Sequence, residues 1–256
     1  MKNKALILLA FSFIFLTNSC KKKNNDDDEQ APTSFTQKVI IEEYTGEWCG
    51  YCPDGARILR EIKTNNPNKV YPISYHIGDS FQESAGQYYD NLFNQYGYPG
   101  GVVQRSSMAG TRSQWDSKAT QELTKTPKAG LKIESSLDGD NLNITVKFAG
   151  TEDFDSKLSL MIIENDVPES SPGAQSGAAA GYLNPDMFRA VLSDQAGDNV
   201  SVKSGEINEK TYSTSISGMN KSKVYIVAFL HNDINGQDKY VLNAQQVKAG
   251  STQDFD

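Results

Sequence analysis

Lys38-Val-Ile-Ile-Glu-Glu-Tyr44, then Thr45-Gly46-Glu47, then Trp48-Cys49-Gly50-Tyr51-Cys52-Pro53: the reading of this chain turns on these sixteen residues. Residues 38–44 are rich in β-branched and aromatic side chains and predict a strand. Residues 55–64 then place Ala56, Leu59 and Ile62 at helical spacing, and Asn65-Asn66-Pro67 stops that helix. The Cys-x-x-Cys pair therefore sits where a strand gives way to a helix. Disulfide exchange needs a thiolate that attacks and a second thiol close enough to resolve the mixed disulfide. A two-residue spacer at a helix start supplies both. Unpaired N–H groups and the helix dipole favour a thiolate on Cys49. Cys52, one turn further in, is expected to be the more buried, and Pro53 fits a first turn whose N–H groups lack intrahelical partners.

The rest of the cysteine inventory narrows the chemistry. The chain has three cysteines and two histidines. A structural disulfide framework would need more cysteines at wider spacing, and a zinc ribbon would need a second ligand pair. No metal is implied, and no cofactor beyond a Cys49–Cys52 redox disulfide. His76, closing a predicted strand over 70–76, either assists proton transfer or is a surface or capping residue. His231 ends a later strand and has no partner that the sequence identifies.

Toward the N-terminus, Lys2 and Lys4 precede an apolar run over 5–16, and Thr17-Asn18-Ser19 leads to Cys20. Residues 1–19 read as a signal peptide, too short for a spanning helix. Its end resembles a lipobox, which makes Cys20 the lipidation site. The other reading is plain secretory cleavage that leaves Cys20 free. Loss of the leader takes the net charge from −7 to −9, and an acidic chain with no basic stripe is a poor nucleic-acid binder. Residues 20–36, the lipidated cysteine and a run of Lys, Asn, Asp and Glu, predict a disordered tether. The acidic cluster either resembles a surface-export signal of lipoproteins or simply solvates the linker.

Toward the C-terminus, Phe81, Ala85, Tyr88, Tyr89, Leu92, Phe93 and Tyr96 form a core-facing helical stripe. A strand over 101–105 and a weaker helix over 113–125 follow. Alternating strands and helices over 37–127 predict an α/β layer. After Pro127 come short strand-like runs at 131–133, 142–148, 158–163, 200–202, 224–230 and 240–247, separated by turn pairs such as Asp138-Gly139. Residues 128–256 are accordingly expected to form an all-β, immunoglobulin-like antiparallel sandwich. The long glycine-bearing loop over 165–185 has no periodicity and fits disorder, coverage of a sheet edge, or ligand binding.

Trp48 before the cysteines and Pro53 after them, at a strand-to-helix junction, resemble the thioredoxin superfamily. That resemblance implies a thioredoxin-like α/β domain over 37–127. It assigns Glu43, six residues before Cys49, as a buried proton relay for Cys52, and Tyr98-Pro99 as a cis-proline loop facing the disulfide. Each residue also has a plainer reading, Glu43 as an exposed strand residue and Pro99 as a trans turn proline. The Gly50-Tyr51 spacer is similar to that of periplasmic disulfide isomerases. Over most of the mature length the chain also resembles the outer membrane protein 28-related lipoproteins, through Glu43-Tyr44-Thr45-Gly46, the cysteine motif, Tyr98-Pro99 and the closing segments 224–229 and 241–244.

Two functions follow as expectations. The first is an outer-membrane lipoprotein, on the periplasmic or the surface leaflet, exchanging disulfides with exported proteins and a redox partner. Cys49, Cys52 and Glu43 would be its catalytic residues, and Trp48, Gly50, Tyr51, Tyr98 and Pro99 would contact substrate. The second is a binding or adhesion lipoprotein in which the cysteines form a static disulfide.

Overall fold

The computed structural model describes residues 29–94, 97–106, 111–236 and 238–256. The expected signal peptide, Cys20 and the first part of the tether lie outside the described residues, as does Tyr96 of the aromatic stripe. The end of the expected disordered tether is anchored instead, at Phe35 and Thr36. The Phe35 ring lies where Gly130 leaves no side chain, 6.2 Å from the Phe255 ring, and Thr36 N–H donates to the Asp256 carbonyl. One aromatic anchor turns the end of a polar linker into structure.

The first half follows the predicted alternation: β1 (Val39–Thr45), α1 (Cys52–Asn65), β2 (Val70–His76), α2 (Ser84–Phe93), β3 (Gly100–Val103) and α3 (Trp115–Leu123). β1 pairs in parallel with β2 and antiparallel with β3. The second half brings β4 (Ala129–Asp138), β5 (Asn141–Gly150), β6 (Phe154–Glu164), β7 (Val167–Pro168), β8 (Leu183–Asn184), β9 (Met187–Val191) and β10 (Asp198–Val202). It ends with β11 (Asn208–Ser215), β12 (Val224–His231), β13 (Val241–Lys248) and β14 (Thr252–Gln253).

These strands do not form the expected thioredoxin-like α/β domain followed by a separate immunoglobulin-like sandwich. They form one mixed sheet, ordered β13-β12-β6-β9-β2-β1-β3 with β10 on β6, that crosses from the second half into the first. The junction is β9, which runs antiparallel to β6 and meets β2 in parallel at Ser74 and Met187. A second, antiparallel sheet, β11-β5-β4-β14, covers one face.

Packing explains why the sheet is continuous. Along β6 and β12 nearly every residue is buried, so both faces need cover. Leu158, Leu160, Ile162, Ile226 and Ala228 face the second sheet. Met161, Ile163, Val227 and Phe229 face the other way, into one cluster with Tyr44, Ile73, Tyr75, Ala85 and Tyr89 of the first half. That cluster holds a buried ion pair, Glu42 to Arg105 at 2.6 and 2.8 Å. The Arg105 guanidinium stands 4.9 Å over the Phe229 ring and 5.1 Å over Tyr89, a cation–π contact from each half.

The outer strands of the long sheet also meet. The Val241 N–H donates to the Gln104 carbonyl, and the Gln104 amide returns a bond to the Val241 carbonyl at 3.1 Å. Exposed strand edges invite pairing with other chains, and this contact joins the two ends of the sheet at one point.

A shared core predicts shared unfolding. Both tryptophans, Trp48 and Trp115, lie in the first half, whereas most strands lie in the second. Tryptophan fluorescence and far-ultraviolet circular dichroism should give coincident urea transitions. Two separated midpoints would show that the halves fold independently.

Candidate disulfide-exchange site

Cys49 and Cys52 are joined by a disulfide, with Cα atoms 5.4 Å apart. β1 delivers the chain to a tight turn in which Cys49 N–H donates to Gly46 and Cys52 N–H to Cys49. The helix starts at Cys52, with Pro53 and Asp54 in its first turn. Cys49 thus stands just ahead of the helix N-terminus and Cys52 within it. Both are buried, Cys49 5% and Cys52 2% exposed, so Cys49 is not the open nucleophile that its position suggests.

The turn is fixed from beneath by Asp79. Its carboxylate accepts from the Glu47 N–H at 2.8 Å, the Phe81 N–H at 2.9 Å and the His76 ring at 2.6 Å. Burial alone would raise the Asp79 pKa; the bond to His76 and these N–H donors outweigh it and hold the group below its ordinary value. His76 is therefore not at the surface, and its ring is engaged by Asp79. It is a buried brace, stacked edge-on against Phe81. His231 lies elsewhere, buried against Ser159 and pushed down to about 3 by desolvation first and by Arg105 next.

Glu43 lies on the face of β1 opposite Glu42 and is 1% exposed. Its Oε2 accepts from the Ser74 hydroxyl at 2.9 Å, while Oε1 has no hydrogen-bond partner among the described residues. Burial raises its pKa to about 8; the Ser74 bond opposes this and the Asp186 charge adds to it. At neutral pH the side chain is a carboxylic acid. A Cβ placed on Gly55, three residues past Cys52, would stand 2.6 Å from Oε1 and 2.9 Å from the Pro99 ring. The absent side chain of Gly55 is what lets Glu43 and Pro99 reach the first turn of α1. The Tyr98–Pro99 peptide bond is cis.

The rim is aromatic. Trp48 is 51% and Tyr51 70% exposed, among the few large apolar side chains that reach solvent. Trp48 is oriented by its indole N–H, which donates to the Ile77 carbonyl at 2.7 Å, and by an edge contact with the Tyr98 ring. Tyr98 is held in turn by Asp90. Arg112 lies 5.5 Å over the Tyr51 ring and bonds Asp54. Gly50 faces outward but is met by Ser176 and Gly177 from the long loop.

The 165–185 loop is ordered and lies on the site. Ser176 N–H donates to the Glu47 carbonyl at 2.6 Å, and the Glu47 carboxylate accepts from the N–H and hydroxyl of Ser170. The Gln175 amide, buried, reaches the carbonyls of Cys49 and Gly46. The structure brings both cysteines, Glu43, Trp48, Tyr98 and Pro99 to this end of α1 and leaves Tyr51 at its rim, and it adds Glu47, Asp79, Gly55 and Gln175, which the sequence reading did not single out. Only the glycines at 173, 177 and 181 hinted that this loop had a defined backbone. Among the described residues no three His, Cys, Asp or Glu side chains are arranged to hold a metal, and no helix is long and apolar enough to cross a membrane.

Fold and site together describe a strand-rich protein that carries one Cys-x-x-Cys disulfide on a continuous mixed sheet. Its residues 86–253 match the model of outer membrane protein Omp28, and the chain belongs to that family. Membership places it among outer-membrane-associated proteins. The matched span begins beyond Cys52, so the family match covers the strands from β3 onward and the long loop but not β1, α1, β2 or the cysteines. HBP35 of Porphyromonas gingivalis has a similar fold, with a TM-score of 0.73 at 20% identity over 85% of this chain and 77% of that one. Protein AGR_C_4864 from Agrobacterium tumefaciens gives 0.58 at 14% identity, over 85% and 97%. No curated protein matches the sequence.

The buried acid has a thermodynamic signature. Unfolded Glu43 ionises near 4.5 while the folded group keeps its proton to about 8. Its contribution to stability should therefore fall as pH rises through that window, with a slope of at most about 1.4 kcal/mol per pH unit. Glu43→Gln should flatten urea-unfolding stability over the same range, and an unchanged slope would refute a buried protonated carboxyl. Gly55→Ala, normally favourable in a helix, should instead cost about 1–3 kcal/mol by overpacking Glu43 and Pro99.

Proposed function

We propose that this chain is a thiol–disulfide oxidoreductase of the outer membrane, anchored through lipid on Cys20 and acting on exported proteins. The observation that carries the reading is the pairing of a Cys49–Cys52 disulfide at the mouth of α1 with a buried carboxyl, Glu43, whose Oε1 has no hydrogen-bond partner among the described residues and lies against the same helix turn. A static disulfide has no need of a proton donor held in the interior at the expense of its own ionisation.

The exchange balances as follows. A substrate thiolate attacks Cys49 Sγ, a substrate–Cys49 bond forms, and the Cys49–Cys52 bond breaks. Cys52 leaves with the electron pair and takes the Glu43 proton. A second substrate thiolate then attacks the substrate sulfur of the mixed disulfide and releases Cys49, so the substrate is oxidised and the cysteine pair reduced. In the reverse direction Glu43, as carboxylate, takes the proton of the Cys52 thiol while Cys52 resolves the mixed disulfide. Sustained turnover needs a redox partner, an external dithiol or disulfide. The direction follows from the reduction potential of the pair against that partner. Trp48 and Tyr51 offer apolar contact to polypeptide on either side of Cys49, and Tyr98 braces the Trp48 ring.

A second reading has one observation in its favour, the burial of Cys49. In it the disulfide is structural and the chain is a binding or adhesion lipoprotein. Cys52→Ser discriminates between the two. With the resolving thiol gone, Cys49 should accumulate mixed disulfides with exported proteins, seen as adducts that vanish under reductant. Absence of adducts, together with no reduction of an insulin disulfide by the wild type, would favour the adhesion reading.

A further inference from the structure

Residues 169–181 carry no role in the exchange, yet they make the closest contacts to its entrance. We propose that this segment is a strap that closes over Cys49 by occupying the edge where an extended substrate polypeptide docks, so that substrate must displace it. The edge is the backbone of residues 46–50. The strap meets it as a polypeptide would: the Ser176 N–H donates to the Glu47 carbonyl, and Gly177 lies flat on Gly50. A Cβ at Gly177 would stand 2.1 Å from the Gly50 carbonyl oxygen, and φ there is +79°, so only glycine fits this contact. Gln175 is the plug, its amide shared among the carbonyls of Gly46, Cys49 and Ser176.

The strap is preformed yet weakly held. The Glu169 carboxylate accepts from the N–H groups of Gly173, Gln175 and Gly181, which bends the segment into a closed loop before it meets the site and holds that carboxyl down to about 2. The base is pinned by the Glu169 N–H to the Tyr182 carbonyl. Beyond Gln175, the side chains from Ser171 to Gly181 are small and none is fully buried. A contact of a few hydrogen bonds with so little apolar burial opens at small cost, because water replaces the bonds that are lost. The recognised class is accordingly an extended polypeptide that presents a backbone N–H to Glu47 and a small residue to Gly50, its disulfide or thiol then lying over Cys49.

The strap rests on the exchange reading for what opens it, but its closure over Cys49 is testable alone. In full-length Cys52→Ser protein, Cys49 is the free thiol of the site. The probe is its rate of reaction with glutathione disulfide and with a decapeptide disulfide, in that background and with Gly177→Ala or Gln175→Ala added. Either added change should raise the rate about tenfold, the value of one net hydrogen bond, with the larger gain for the decapeptide. Circular dichroism confirms folding, and Gln175→Ala decides if Gly177→Ala does not fold. Rates within twofold in all three proteins would overturn the strap, and an equal gain for both probes would overturn the shared docking edge. A faster thiol in the strap variants, with otherwise wild-type protein neither reducing an insulin disulfide nor oxidising a dithiol peptide, would refute the oxidoreductase reading and leave the strap standing.

Discussion

β1 is buried on both faces, and it carries two adjacent carboxyl groups that water cannot reach. An isolated charge in such a place costs several kcal/mol, so each carboxyl must be neutralised or paired. The two solve the problem differently because alternate residues of a strand face opposite sides. Glu42 meets Arg105 in a fork with both carboxylate oxygens engaged and a Tyr75 hydroxyl added. Glu43 meets only the Ser74 hydroxyl and keeps its proton. The first solution builds the fold, since Arg105 is roofed by aromatic rings from both halves. The second places an acid against the first turn of α1, beside the disulfide-bearing helix end. Removing either partner of the Glu42 pair would leave a bare charge among Tyr44, Tyr75, Tyr89 and Phe229, which is why the pair holds the two halves to one arrangement.

The parts legible in the sequence are those set by neighbours along the chain. The 3.6-residue spacing of Ala56, Leu59 and Ile62 located α1, and the apolar runs located β1, β2, β5, β6, β12 and β13. The cysteine spacing located the sulfurs. The division into an α/β domain and a sandwich failed for a reason also present in the residues. Leu158 to Ile163 and Val224 to Leu230 are almost unbroken apolar runs, which mark strands covered on both faces. A two-sheet sandwich would show in-and-out alternation in those strands, as β5 and β11 do here. The second covered face needed a layer, and the first half supplies it.

What stayed illegible is what long-range pairing decides. β9, the strand that joins the halves, spans five residues, touches β2 at a single register pair and follows directly on the irregular loop. Nothing local distinguishes it from more loop. Gln104 and Arg105 adopt positive φ, at 51° and 52°, so that one closes the sheet edges and the other turns inward. A strand predicted through Arg105 could not foresee that. Glu47 and Gln175 read as ordinary surface polar residues until the loop that pairs with them is in place.

The same long-range geometry sets the terms on which the cysteines react. A pair at a helix mouth is poised by local features, the dipole and the first-turn N–H groups, and these come with the motif wherever it stands. Access is not local. A segment more than a hundred residues away reaches the Cys49 carbonyl through the Gln175 amide, and it stands on a β7–β8 hairpin just ahead of Asp186, whose charge acts on Glu43. Glu47 links the two sides, its N–H fixed by Asp79 in the first half and its carboxylate and carbonyl by the loop of the second. Sulfur reactivity and sulfur exposure are therefore set by different parts of the chain, joined through one sheet. On the proposed exchange reading, a change in the loop would alter how fast Cys49 meets a partner without altering the turn, the helix or the acid beside it.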